Sequence, residues 1–357
     1  MPSTNELKIG APQYRLLERL TNTVGVSGNE GAVRKIVLEE IEGYADEVKI
    51  DALGSVLATK KGTQRNRLKV MLAAHMDEVG FMITYDDSKG IFRFKVVGGI
   101  DERQLAGKPV WVGKDKIPGV IGAKPIHLTT ASERKNTIPL KSLRIDVGEK
   151  NASKVKVGDW ATFATEYQRL GPSIRAKALD DRLGVTNLIE LLRNTPPNID
   201  LLAAFTVQEE VGLRGARVAA FAFDPDLAIA LDCTPAYDLP SWDGEENTRY
   251  NTRLDHGPAL YVADRATLSD PRLLRYFVEM AEAQGIPHQI RQPGGGGTDA
   301  GSIHKQRAGI PSLSISVPGR YLHTAASIVR INDWKHTLNL LHTALSGLKP
   351  EIFKNDR

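Results

Sequence analysis

Apolar and polar positions follow two rhythms along this chain. Near the start, YRLLERL reads as a short amphipathic helix. Ser27-Gly28-Asn29-Glu30 then fits a capping box, with Ser27 as N-cap and Glu30 three positions on. Val33, Ile36, Val37 and Ile41 follow at helical spacing, which predicts a helix over 28–43. Short strands are expected near 47–51 and 55–60. Residues 68–74 form a continuous apolar run, the pattern of a strand buried on both faces. After about residue 79 the helical rhythm stops. GFMITYDD, IFRFKVVGG, PVWVG, PGVIGAK, SLRIDVG and DWATFATE are short β-like pieces punctuated by Gly, Pro and Asp. They predict a small all-β barrel or sandwich. The polar stretch 129–142 reads as a mobile loop. Alternation of helices and strands resumes after Gly171. Val185, Leu188, Ile189 and Leu192 mark a helix, and LLAAFTV and LAIALD mark strands. PRLLRYFVEMAEAQ is a helix, PSLSISV a strand, and Trp334, Leu338, Leu341 and Leu345 share one face of a last helix. The reading is an α/β domain in two parts, 1–78 and 169–357, interrupted by a β module over 79–168.

Composition narrows the function classes. At 357 residues, 41% hydrophobic and 25% charged, the chain has the make-up of a globular protein of one large or two modest domains. A net charge of +4 without a long basic block gives no footprint for nucleic acid. No segment approaches the ~20 apolar residues a membrane-spanning helix needs, and no signal-peptide pattern stands at the start. A cytoplasmic location without membrane partners is the expectation. Cys233 is the single cysteine, so no internal disulfide forms, and a buried structural thiol is expected there.

The chemistry lies just past the ends of the apolar runs. LKVMLAAH ends in His75, with Asp77 two residues on. LLAAFTVQEE ends in Glu209 and Glu210, LAIALD ends in Asp232, and His323 follows PSLSISV. Asp180 and Asp181 stand in KALDDRLG, where they also fit a helix start. Ligands of open α/β sheets gather at the carboxyl ends of strands. A cluster of carboxylates repels itself unless cations neutralise it. Two histidines and three or more carboxylates suit two divalent ions sharing one bridging carboxylate, and nitrogen with oxygen donors favours Zn²⁺, Co²⁺ or Mn²⁺ over Ca²⁺. Asp77 is placed to orient His75 through its second ring nitrogen. Thr298 and Asp299 follow the Gly294–Gly297 run, as a turn or as a wall of a substrate site. His127 is either a surface residue of the β module or a group reaching a neighbouring site. Residues 234–240 are placed to shape a pocket.

These segments resemble a known family. AAHMDEVG, KALDDRLG, TVQEEVGLRGA, ALDCTPAYDLP, GGGGTDAGSI and VPGRYLHT match, in order, the dinuclear-metal aminopeptidases of the tetrahedral type, relatives of glutamyl aminopeptidase. The resemblance implies a mostly parallel sheet with helices on both faces, interrupted by a PDZ-like β domain. It implies that His75 and Asp232 hold one metal, Glu210 and His323 the other, and that Asp180 bridges them. Glu209 would be the general base for attack of a metal-bound hydroxide on the first peptide bond, with Asp77 behind His75. It further implies short peptide substrates and dimers, built through the β insertion, that gather into a twelve-subunit particle. Two other enzyme readings share the residues: a dinuclear deacylase or carboxypeptidase of the same superfamily, and an endoglucanase, which would need two opposed carboxylates without metals. The non-enzymatic reading is a metal-stabilised scaffold.

Overall fold

The structure, a computed structural model, describes residues 6–245, 247–248, 251–292 and 295–354. The runs with no polar alternation become the centre of an eleven-stranded mixed sheet. Its four inner strands lie in the order Ile199–Thr206, Leu68–His75, Leu227–Pro235 and Ser312–Arg320, all parallel. Strands buried on both faces cannot carry alternating polar residues, which is why the sequence shows unbroken runs. Antiparallel strands extend the sheet on either side, Val56–Lys60 and Glu47–Ile50 at one edge, and Ser327–Arg330, Ser173–Ala176 and Gln168–Leu170 at the other. Helices Ala11–Thr21, Gly31–Ile41, Leu179–Arg193, Pro271–Gln284 and Ile331–Gly347 cover one face, in a core that includes Leu17, Leu188 and Trp334. Arg214–Phe223 and Ala300–Ile303 cover the other around Ala216, Ala219 and Ile303.

The β-like pieces after residue 79 close into a six-stranded antiparallel barrel, running from Gly80–Asp86 to Trp160–Phe163 along the chain. Phe81 fills its centre, edge-on to Phe94 and Phe163 at ring-centre distances of 5.3 and 5.2 Å. A buried ionic knot joins barrel and α/β domain. Glu78 accepts hydrogen bonds from Lys177 Nζ at 2.8 Å, from Gly25 N at 2.9 Å and from the barrel's Thr162 Oγ1 at 2.9 Å, with Arg182 Nη2 at 3.7 Å.

Two local expectations fail, both on capping boxes. Ser27 caps no helix. The helix runs Gly31–Ile41 with Glu30 at its N-cap position, and Ser27 is buried instead. Its hydroxyl donates to the Asp77 carboxylate at 2.6 Å, a stronger partner than a backbone N–H. The Glu30 side chain turns back to accept from Gly28 N at 2.7 Å and Gln208 N at 3.2 Å. Conversely, the polar stretch 129–142, expected as a loop, holds a short helix, Ala131–Lys135. It is capped reciprocally by Thr130 and Glu133. Both groups are exposed, so no buried acceptor competes for the hydroxyl.

Candidate metal centre

Sheet register brings the first donors together. Leu68–His75 pairs with Leu227–Pro235 through Ala73 opposite Ala230, so His75, the last residue of its strand, comes level with Asp232, inside a strand that runs on to Pro235. His75 Nε2 lies 3.8 Å from Asp232 Oδ1. Thr206 pairs with His75 on the other side, and the loop beyond it carries Glu209 and Glu210 over the same end. His323 follows Ser312–Arg320 in a left-handed conformation, φ 58°, which swings it back over the cleft.

Asp180 stands between the two imidazoles. Its Oδ1 is 3.2 Å from His75 Nε2 and its Oδ2 is 3.3 Å from His323 Nε2, while Glu210 Oε2 is 3.3 Å from His323 Nε2. Among the described residues, three triads lie close enough to hold a cation: two carry an imidazole, His75, Asp180 and Asp232, and Asp180, Glu210 and His323, and the third is Asp180, Asp181 and Cys233. They share Asp180. Both histidines are held in one tautomer. His75 Nδ1 is 3.2 Å from the Asp77 carbonyl and His323 Nδ1 is 2.7 Å from the Gly99 carbonyl. A carbonyl only accepts, so each Nδ1 carries a proton, and a neutral imidazole held this way turns its Nε2 lone pair toward Asp180 and any cation bound there. Gly99 belongs to the stretch just after barrel strand Ile91–Val97, so the barrel domain orients a donor of the other domain.

The two aspartates of KALDDRLG divide the two readings between them. Asp181 starts the helix, its Oδ1 accepting from Gly184 N at 2.9 Å and its Oδ2 from His75 N at 3.2 Å. A Cβ on Gly184 would lie 2.3 Å from that carboxylate, so only glycine fits there. Asp180 is left free to face the cleft. The Asp77 carboxylate lies beside the same ring nitrogen as its carbonyl, Oδ1 3.4 Å from His75 Nδ1. It also does something the spacing did not suggest: it accepts from Glu209 N at 3.0 Å and Glu210 N at 3.1 Å. One buried carboxylate thus fixes both the His75 ring and the loop that carries the Glu-Glu pair.

The electrostatics ask for positive charge. Burial pushes the Glu209 carboxyl well above its usual range, helped by Asp232 and Glu210, and raises Glu210 to about 8 and Asp232 to about 7. Burial alone would lower the His323 imidazole, yet Glu210 and Asp180 raise it to about 10. His75 is pushed well up against the same burial penalty by Asp180, Asp232 and Asp77. Four carboxylates converge on two imidazoles at Asp180, Glu209, Glu210 and Asp232. This nitrogen and oxygen set fits borderline divalent ions such as Zn²⁺, Co²⁺ or Mn²⁺.

The donors line a cavity of about 1100 Å³. Pro235, Ala236, Tyr237 and Leu239 of the 234–240 segment form part of its wall, and so do Gly295, Gly296 and Gly297. Gly294 lies outside the described residues. Thr298 and Asp299 turn inward, Thr298 Oγ1 2.7 Å from Ser314 Oγ, and Asp299 Oδ2 accepting from Thr206 Oγ1 at 2.6 Å. The wall is therefore the glycines, and the two residues after them anchor it. Cys233 is buried, its thiol donating to the Leu179 carbonyl at 3.3 Å and pushed well above the usual thiol range by burial and by Asp180. That is a structural thiol, not a nucleophile. His127 is exposed on the barrel domain and is not among the cavity-lining residues. Ser27, Glu30, Glu78, Lys177 and Gly99 were not legible as site supports, because each acts through a partner far along the chain.

No described helix is long and apolar enough to cross a membrane. The chain matches the M42 glutamyl aminopeptidase family over residues 54–340. It is 34% identical to the lysyl aminopeptidase of Pyrococcus furiosus over 352 residues, covering 95% of this chain and 99% of that one. Its fold superposes on the TET aminopeptidase of a marine sediment Thaumarchaeota archaeon with a TM-score of 0.90 at 34% identity, covering 96% and 99% of the two chains. It superposes on the TET1 peptidase of Pyrococcus horikoshii, described as assembling into a tetrahedron or a large octahedral shell, with a TM-score of 0.81 at 33% identity, covering 94% and 100%. With strand-end donors, cleft and whole-chain likeness agreeing, the chain belongs to the M42 glutamyl aminopeptidase family and is a peptide hydrolase of the aminopeptidase class.

Proposed function

We propose that this aminopeptidase releases N-terminal residues from short peptides with two divalent cations, one held by His75 and Asp232, the other by Glu210 and His323, and both by Asp180. The observation that carries this reading is the Asp180 carboxylate, with one oxygen toward each histidine Nε2. Zn²⁺ or Co²⁺ fits the donor set best, and Mn²⁺ fits it too. Bound there, the cations supply Lewis-acid polarisation of the scissile carbonyl and acidify a water toward neutral pH. Glu209 is the general base. It takes the proton of the attacking water and returns it to the leaving amine. Its backbone N–H is held by Asp77, so the carboxyl is presented in a fixed position. The substrate's free amine, positively charged, sits among the carboxylates, which limits cutting to one end of the chain.

The barrel over 79–168 is read as a PDZ-like insertion between the two α/β parts, 1–78 and 169–357. By likeness to the TET peptidases, it builds dimers that gather into a hollow twelve-subunit particle admitting short or unfolded peptides. Relatives are named for acidic and for basic first residues, so names do not decide the preference. The test is Glu209→Gln with metal restored. Metal content stays at the wild-type level while kcat on an aminoacyl anilide falls by at least about 10²-fold. A near-normal rate removes Glu209 as the base. Equal activity on N-acetylated peptides would favour the deacylase reading.

A further inference from the structure

A buried phenol lies beside the metal donors, and its neighbours donate to it. Tyr261 is 3% exposed and lines the same cavity. The short strand before it, Ala259–Leu260, runs antiparallel to Ser312–Arg320, with Ala259 opposite Ser316. On its other side Ser316 pairs in register with Asp232. Ser316 Oγ donates to the Tyr261 hydroxyl at 3.1 Å. Paired residues on adjacent strands project to one face, with the strands about 4.8 Å apart. The phenol oxygen therefore sits within a side chain's reach of the Asp232 carboxylate, whose charge acts on it.

Counting protons shows what this hydroxyl has left to offer. Its second partner is Thr234, two residues beyond Asp232 and on the same strand face. Thr234 Oγ1 accepts from Arg291 Nε at 3.2 Å and from Asn251 Nδ2 at 3.2 Å. A hydroxyl has two lone pairs and one proton. Both Thr234 lone pairs are taken, so its proton goes to the phenol oxygen. That oxygen thus accepts from Ser316 and Thr234, and its own proton finds no acceptor among the described residues. The sheet side is filled by those two donors, which leaves the cavity side open. The Arg291 guanidinium lies over the Tyr261 ring, 4.5 Å from its centre, and with the two donors it makes the O–H a stronger hydrogen-bond donor. Burial, and after it Asp232, hold the phenol above the usual tyrosine range, so the proton stays on it. A buried O–H without an acceptor is costly unless a ligand supplies one.

We propose that Tyr261 is a further catalytic residue, its O–H donating to the oxygen of the scissile carbonyl as that oxygen takes on negative charge. The proposal rests on the aminopeptidase reading of the same site. Every substrate brings two groups to this end of the cleft. The charged amine only donates and is drawn to the carboxylates, whereas the carbonyl oxygen only accepts. When water deprotonated by Glu209 adds to the carbonyl carbon, the C=O electron pair moves onto that oxygen, and the phenol hydrogen bond strengthens. When the C–N bond breaks, the pair returns and the leaving amine takes its proton from Glu209. The Tyr261 proton is donated in a hydrogen bond and never transferred.

The experiment compares wild type with Tyr261→Phe, both metal-restored, on the aminoacyl p-nitroanilide that wild type releases fastest. Phenylalanine keeps the ring under Arg291 and removes only the O–H. Two inhibitors are titrated beside it: a phosphinic dipeptide, whose tetrahedral P–O⁻ stands where the carbonyl oxygen would, and an alkylamine with the same side chain and no oxygen. The variant is expected to lose about 10- to 100-fold in kcat with KM within about threefold. The phosphinate weakens by the same factor as kcat/KM, while metal content and alkylamine affinity stay at the wild-type level. A kcat within about twofold of wild type, or an unchanged phosphinate affinity, overturns the inference. Equal weakening of both inhibitors also overturns it, and makes Tyr261 a brace for Thr234 and Arg291. If Tyr261→Phe does not fold, a crystal structure of wild type with the phosphinate decides: the Tyr261 oxygen is expected about 2.7 Å from a phosphinyl oxygen, and a separation beyond about 3.5 Å overturns the inference. Release with an unaffected variant defeats this inference alone. Release from no aminoacyl anilide defeats the aminopeptidase reading, and this inference with it.

Discussion

Asp77→Asn tests how one carboxylate couples the fold to the chemistry. Asp77 is fully buried. Its Oδ1 accepts from Glu209 N at 3.0 Å, and its Oδ2 accepts from Ser27 Oγ at 2.6 Å and from Glu210 N at 3.1 Å. An amide offers one acceptor oxygen and one NH₂. With the NH₂ in place of Oδ2, the Ser27 hydroxyl can turn to accept, but the Glu210 N–H faces a donor. With the NH₂ in place of Oδ1, it opposes both the Glu209 N–H and the protonated Nδ1 of His75. Either way at least one buried N–H loses its partner, and the remaining bonds lose their charge assistance. That amounts to about 2–3 kcal/mol of stability. The same change loosens His75 and the Glu209 loop together, so kcat/KM or metal affinity falls by about 10- to 100-fold. Urea melts of the metal-loaded protein read the first number, and steady-state kinetics with metal titration read the second. A variant within about 0.5 kcal/mol and about threefold of wild type would refute the double role of Asp77.

Two further predictions concern the buried knot under the barrel. Glu78→Ala leaves Lys177 and Arg182 buried without their carboxylate and frees the Thr162 hydroxyl, so stability falls by about 3–5 kcal/mol in denaturant melts; a loss under about 1 kcal/mol would show that water reaches the knot. The second prediction concerns pH. Burial lowers the Lys177 ammonium to about 8 from its ordinary 10.5, against the pull of Glu78. Between those values the unfolded chain binds the extra proton, so the stability of wild type relative to Lys177→Met rises with pH through that window, by about 3 kcal/mol in full. A difference that stays flat or falls from pH 8 to 10.5 contradicts the assignment.

The sequence and the fold divide the rest between them, and the two capping boxes show where the line falls. Ser27-x-x-Glu30 and Thr130-x-x-Glu133 are written in the same residues. The second forms a cap because its surroundings are solvent. The first does not, because a carboxylate fifty residues away offers the Ser27 hydroxyl a better acceptor. Local pattern states what a side chain can do, and the tertiary neighbourhood states which of those things it does.

The sequence by itself determined the architecture and the donor types. Unbroken apolar runs mark strands covered on both faces, and a charged residue at the end of such a run has only the strand end to occupy. That is why His75, Glu209, Glu210, Asp232 and His323 stood out as candidates before any contact was known. Tertiary structure alone decided which of Asp180 and Asp181 faces the cleft, which carbonyl fixes each imidazole, and that the barrel supplies one of them through Gly99. It also decided that Arg291 stands buried beside the donors with no counter-charge among the described residues. Those facts rest on distances between segments tens to hundreds of residues apart, and periodicity, being local, carries no record of them.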